Sequence, residues 1–509
     1  MRTDKGKDKN TTGRAFRGLM AGIAAGLLCA TINACGGSSG GSSGSSSNSA
    51  SAAPWTWVGG MTQIQQQVIA GPPGVSSIPF PTAPSQGALG VLAVNQTPPT
   101  NGTPFPEARA GAAGWIDSQG NSWIFGGIGF DSAGDAGQLN DLWEYTAASG
   151  QWTSRSRTSV ADSAGVYGAK GAASASNVPG SREASVSYVD PSGNLWLFGG
   201  AGFDSAGNPG LLNDLWKYNT SAGTWTWVAG SNTVDAAGVY GTKGTAAASN
   251  TPGSRVGAVG WVDPSGNFWL FGGLGFDSAG NASNINDLWM YSATSGQWTW
   301  MGGSDTVDAS GVYGTQKQAA ASNIPGARTA ATVVVANGAA WLISGIGQDS
   351  AGNFGFLNDT WSYNLGTGEW TWVAGSNVAS AAGVYGKLGV ISSKNMPGAR
   401  AAAVAWNNAS GSVFLFGGDG LDSSGTFGSL DDLWRLNTHS GKWVWVGGPN
   451  TANASGVYGT QGKPARSNLP GARAGATSLT NAHGDHWILG GAGFDSSGNV
   501  GLLADFWNN

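Results

Sequence analysis

The chain has 509 residues, of which only 10% are charged against roughly 25% in ordinary globular domains, while Gly numbers 87 and Trp 25. The formal charge is −5; the first 34 residues carry +4, so the body beyond them carries −9. A body this acidic, with sparse Lys and Arg, excludes recognition of nucleic-acid phosphates, which takes clustered cations.

The basic start is followed by an apolar run, Gly18 to Leu28, and then Ile32-Asn33-Ala34-Cys35. This order reads as a secretory signal. It resembles the bacterial lipoprotein signal, which implies a lipid on Cys35 as the new N-terminus; plain secretion with Cys35 unmodified is the rival reading. The run is shorter than the ~20 residues a membrane span needs. Gly36 after the cysteine points to the outer membrane of a bacterial envelope, on its periplasmic or its surface side. Residues 35–53 are nearly all Gly, Ser, Asn and Ala, a flexible tether. Cys29 and Cys35 are the only cysteines, so residues 54–509 hold no disulfide.

From Pro106 onward six similar blocks fill the chain. Gly-Gly doublets mark them at 126, 199, 272, 417 and 490, with Ser344-Gly345 in the remaining slot, and the spacings are 73, 73, 72, 73 and 73 residues. A fixed period of this length predicts a repeat array. In the second block, Arg182 to Val189 reads as an extended strand and Asp190 to Asn194 as a turn. Leu195 to Phe198 is a strand ending on the doublet. A longer loop spans Ala201 to Gly210, and two further strands follow, around Asn213 to Tyr218 and Trp225 to Val228. That is four antiparallel strands. The fourth block is one residue shorter because Asn337-Gly338, the preferred two-residue hairpin turn, replaces the five-residue turn.

The doublet after an apolar strand, the Asn213-Asp214-Leu215-Trp216 segment and Trp225 after Gly223 resemble the kelch family. The resemblance covers residues 106 to 509 and implies an all-β, six-bladed β-propeller with four strands per blade. The blades are expected at about 106–156, 179–229, 252–302, 325–374, 397–447 and 470–509. The last lacks a fourth strand, and Trp55 to Val58 matches that strand. The N-terminal segment 54–59 is therefore expected to complete the last blade and leave no free edge. All 25 tryptophans fall in strand columns, which reads as packing between blades rather than a sugar platform.

Connections after the second and fourth strands emerge on one face, which therefore carries nearly all the loop material. Three residue columns there are candidates. Arg109, Arg182, Arg255, Arg328, Arg400 and Arg473 open the first strands and are expected at the axial mouth. They pair with the Asp-Ser loops or cap loop carbonyls, or else form an anion site. Tyr167, Tyr240, Tyr313, Tyr385 and Tyr458 sit in Gly-Val-Tyr-Gly inserts, each followed within five residues by a lysine. They anchor the loops or form a surface for an anionic or glycan ligand. Asp131, Asp204, Asp277, Asp349, Asp422 and Asp495 head turns closing on Gly, and a weak Ca²⁺ role is the alternative to turn chemistry.

Some kelch propellers are enzymes. The galactose oxidase group needs a Tyr–Cys cross-link and copper held by His and Tyr. This chain has no cysteine after Cys35, and two of its three histidines, His483 and His486, fall in the turn on the plain face. Copper radical chemistry is excluded. Glu107, Glu144, Glu183 and Glu369 do not recur as a pair, and near-perfect repetition weighs against catalysis, so the chain leans away from being an enzyme. The expectation is a lipid-anchored, monomeric, extracytoplasmic binding or scaffold module, without cofactor, meeting a protein or glycan on the elaborated face. A mutarotase-like carbohydrate enzyme and a passive envelope protein are the alternatives.

Overall fold

The structure, a computed structural model, describes residues 53–64, 66–68, 92–94, 104–156, 160–481 and 483–509; Cys35 and the signal lie outside them. Every regular element among the described residues is a strand.

The second module shows the pattern. Val186–Val189 pairs antiparallel with Leu195–Phe203, which pairs with Pro209–Asn219, which pairs with Thr224–Ala229. Alternation along each strand puts one set of side chains on each sheet face, and both faces meet a neighbouring module. The first turn is closed by Asp190, whose Oδ1 accepts the N–H groups of Ser192 and Asn194 at 2.9 Å each. In the fourth module Asn337 (φ 50°) and Gly338 (φ 74°) join Thr332–Ala336 to Ala339–Gln348, the expected two-residue hairpin.

The stretch read as a ten-residue loop is not a loop. The register shifts between Phe198 and Gly200, and beyond that bulge the second and third strands run on together as far as the Phe203↔Pro209 pair. Gly199 (φ 61°) and Gly200 (φ 99°) make the bulge possible. A Cβ on Gly200 would lie 2.6 Å from the Glu183 carbonyl oxygen. Each module therefore raises a two-stranded arm above the bulge, closed by the Asp-Ser turn. A two-residue strand, Arg182–Glu183 in module two, pairs along it.

The first strands touch in sequence from module to module, and that of the sixth, Thr477–Thr480, touches that of the first, Ala113–Ile116. The modules thus close into one ring, a β-propeller. As the repeats require, Thr56–Gly59 pairs with Phe506–Asn508, Trp57 standing opposite Trp507, and supplies the missing outer strand. Aromatic layers fill the spaces between modules. Trp216, Trp289, Trp361, Trp434 and Trp507 are among the largest fully buried side chains, and rings of this size dominate such a core.

Candidate functional site

The arginines, expected as an open ring at the axial mouth, stand at the base of the arms and are closed to ligands: all six side chains are buried. Their partners are not the Asp-Ser carboxylates. Arg182 donates from Nη1 and Nη2 to the two oxygens of Asp214 at 2.7 and 2.8 Å, and its remaining donors reach the carbonyls of Gly180 and Gly199. The other five arginines repeat this fork with Asp141, Asp287, Asp359, Asp432 and Asp505. Those aspartates belong to the same segment as the column tryptophan, two residues before it. Geometry explains the choice, since the third strand runs alongside the bulge at this level while the Asp-Ser turn stands at the far tip of the arm.

The tyrosines complete the same cluster. Tyr240 donates to Asp287 Oδ2 at 2.6 Å, and Trp289 Nε1 donates to the same oxygen at 2.7 Å. Tyr167, Tyr313, Tyr385 and Tyr458 do likewise with Asp214, Asp359, Asp432 and Asp505. All five are buried, and burial together with the adjacent carboxylate pushes each phenol far above its ordinary range. These hydroxyls are spent inside the protein and offer a ligand nothing. Each pins its insert to the module that follows. The first module, whose preceding connection lacks the motif, has the Arg109–Asp141–Trp143 cluster with no tyrosine on Asp141.

The lysines that follow are partly spent as well. Lys170 and Lys243 lie over the faces of Trp227 and Trp300, 4.3 and 4.2 Å from the ring centres, and donate to the carbonyls of Gly230 and Gly303.

The Asp-Ser aspartates stitch turn to insert. Asp204 Oδ1 accepts the N–H groups of Ala206 and Asn208 at 2.8 and 2.9 Å, and Oδ2 accepts the N–H of Val234 at 3.4 Å. Burial raises the carboxyl of Asp204, but these donors outweigh it and hold the group below its ordinary value. The same balance acts at Asp131, Asp277, Asp349 and Asp422. Asp495 Oδ2 accepts the N–H of Ile64 at 2.7 Å, so the segment after the closing strand plays the insert's part for the last module. Their oxygens accept from backbone N–H groups and, at Asp204, Asp277, Asp349 and Asp495, from an asparagine Nδ2 as well, which is the pattern of turn chemistry.

One feature at the axis went unread in the sequence. Two residues after each arginine the chain carries Gly111, Ala184, Gly257, Ala330, Ala402 or Gly475, all at positive φ between 48° and 66°. Their amides form a closed cycle. Ala184 N–H donates to Gly111 O, Gly257 to Ala184, Ala330 to Gly257, Ala402 to Ala330, Gly475 to Ala402 and Gly111 to Gly475, at 2.8–3.1 Å. The signal was present as an Arg-x-Gly/Ala triplet in every repeat. Next to this cycle Glu183, raised by burial, accepts from Gln138 Nε2 at 3.2 Å.

Among the exposed side chains of the inserts one apolar residue recurs. Val166, Val239, Val312, Val384 and Val457, each one residue before a pinned tyrosine, are 46–49% exposed. Each sits in a two-way backbone bridge, Val239 with Thr251 for example. Five copies of one rigid loop thus hold the same side chain toward solvent.

No protein-family model matches the chain, and no curated protein matches it. Among solved structures the chain is similar to one described as "Structure of YjhT", at 17% identity over 79% of this chain and 96% of that one, with a TM-score of 0.45.

Proposed function

We propose that this protein is a kelch-type, extracytoplasmic binding or scaffold module, anchored through a lipid on Cys35, that meets a protein or glycan with its elaborated face. The array of five exposed insert valines carries the reading. Their neighbouring tyrosines are fixed in buried clusters, so the loops are held in place before any partner arrives, which lowers the ordering cost of association. An apolar side chain repeated on one face suits an extended or multivalent partner better than a single small molecule.

The test is a glycan-array and envelope pull-down screen of the purified chain against a Val239→Asp/Val312→Asp/Val384→Asp variant. Selective binding by the wild type, lost in the folded variant, supports the reading. Binding that survives moves the partner elsewhere, and no selective binding at all favours a passive structural role.

A further inference from the structure

The six-fold pattern breaks at the junction of modules four and five, and the breaks there are coupled. In modules one to four the third strand carries Tyr145, Tyr218, Tyr291 and Tyr363, packed against the first tryptophan of the outer strand. Module five has Leu436 instead. Its outer-strand tryptophan, Trp443, donates Nε1 to Thr360 Oγ1 of module four at 3.3 Å, where modules one, two, three and five carry leucine and module six carries Phe506 in the threonine's place. The backbone responds. The insert asparagines Asn177, Asn250, Asn323 and Asn468 each donate to the carbonyl of that outer-strand tryptophan in their module. Asn395 keeps only its bond to Val390 O, although it remains 5% exposed. The insert-to-strand bridge present at Ala247↔Trp298 and Ala320↔Trp370 has no counterpart at Trp443.

A cavity of about 380 Å³ opens where these contacts are missing, lined by Asn395, Trp372, Lys317 and Lys442 among others. Lys317 is itself a departure. Its N–H donates to Trp372 O, as those of Gly171, Gly244, Gly389 and Gly462 do to their own tryptophans, so it occupies a glycine position at φ 67°. An L-residue there is strained, and strain of this kind is found at functional sites. The residue before it, Gln316, takes the place from which Lys170 and Lys243 cover their indoles, and among the described residues no lysine lies over Trp372. Lys317 Nζ reaches across to Ser440 O at 3.0 Å, which sets it beside Gly441 and Lys442. Neither lysine has a carboxylate partner among the described residues.

We infer that this cavity binds a small anionic saccharide. Its acid group sits at Lys317 and Lys442, its ring lies on the uncovered indole of Trp372, and a hydroxyl is hydrogen-bonded by the amide of Asn395. The volume suits a ligand of sugar size, two ammonium groups without a carboxylate partner among the described residues of an otherwise acidic protein select an anion, and an indole face with a buried amide selects a polyol over a simple ion. The inference does not depend on the reading of the elaborated face.

Calorimetric titration of the full-length chain with galacturonate, glucose 1-phosphate and galactose tests it. One of the two acids binds at least about tenfold more tightly than galactose, and which one shows whether the acid is a carboxylate or a phosphate. Lys317→Gly restores the glycine of the other repeats, so its melting temperature stays level or rises while acid binding weakens about tenfold or more; Lys442→Gln weakens it independently. Equal binding of galactose and the acids, unchanged binding in the Lys317→Gly/Lys442→Gln double variant, or no binding of either acid, overturns the inference.

Discussion

Arg255→Leu gives the sharpest test of what holds the ring together. The substitution leaves Asp287 fully buried with two donors, Tyr240 and Trp289, but with no counter-charge. Removing one partner of a buried pair costs about 3–5 kcal/mol, because the remaining carboxylate must stay charged without compensation or take up a proton. Tyr240→Phe removes a single hydrogen bond to the same oxygen, worth about 1.5–3 kcal/mol, and leaves the ion pair intact. Module one already lives without that bond, so the loss is tolerable by the chain's own example. With an unfolding entropy of about 2 cal/mol/K per residue over a cooperative ring of ~400 residues, the two variants should melt about 4–6 °C and about 2–4 °C below the wild type. Tryptophan-fluorescence melts and guanidinium titrations read both. Equal losses for the two variants, or an Arg255→Leu protein within about 1 kcal/mol of the wild type, would show that Asp287 is held by its neutral donors and not by the guanidinium.

Deleting residues 54–59 removes the outer strand of the last module together with Trp55, which packs on Trp406 and Phe416, and should collapse cooperative melting; an unchanged melting temperature would refute closure by this strand. In the axial cycle, Gly257→Val would put a Cβ 2.4 Å from Thr329 Oγ1 at φ 63° and should cost more than about 2 kcal/mol, whereas Ala330→Gly at φ 52° should be neutral or stabilising by up to about 1 kcal/mol in the same melts. His486 is buried against Trp406, rings 3.9 Å apart, and burial lowers it to about 3 from 6.5. Its contribution is complete above pH 6.5 and is lost as pH falls towards 3, by about 5 kcal/mol at most; His486→Phe should flatten that acid limb. Asp419 moves the other way, raised by burial to about 7 from 3.8 despite its bond from Ser429. Stability should fall as pH rises from 3.8 towards 7, by about 4 kcal/mol at most, and Asp419→Asn should remove the slope in a melting-temperature series against pH.

The strand order, the hairpin at Asn337-Gly338 and the closing role of Thr56–Gly59 were legible because each follows from local chemistry repeated at a fixed period. The arms were not. Ala201 to Gly210 looks like loop because the Gly199-Gly200 doublet ahead of it and its own glycines break any strand pattern, yet the doublet permits the bulge that lets pairing resume. At the candidate site the columns were found and their partners were not. Sequence spacing showed that arginine, tyrosine and two sets of aspartates recur together, but only the fold decides which aspartate lies at the level of the arginine. Asp214 and its equivalents stood in plain view inside the segment already singled out for its tryptophan. Their role was hidden because a buried fork needs a third strand alongside the bulge, a tertiary fact with no period of its own.

Repetition also decides where function can be sought. A residue found in all six modules, such as the paired arginines, is explained by what every module needs, namely a charge cluster joining bulge and third strand. A residue found in one module is not explained that way. Asp431 shows how such a departure can still be structural. It replaces the asparagine that elsewhere donates to a proline carbonyl and accepts the N–H of Ser231, Ser304 or Ser376, and Pro449, which has no N–H, stands at the serine position. Burial and the neighbouring Asp432 raise Asp431 well above its ordinary value, a shift that favours the neutral acid, the form able to donate as asparagine does. Asp431 stays fully buried, and nothing opens to solvent at its side chain. Lys317, Asn395, Leu436 and Thr360 differ in kind. Their changes leave a strained backbone, an amide short of one partner and a cavity between two modules. The first departure stays inside the symmetric fold and the second leaves a concave surface, which is why the junction of modules four and five, rather than the axis, is the place where this ring is built to hold something small.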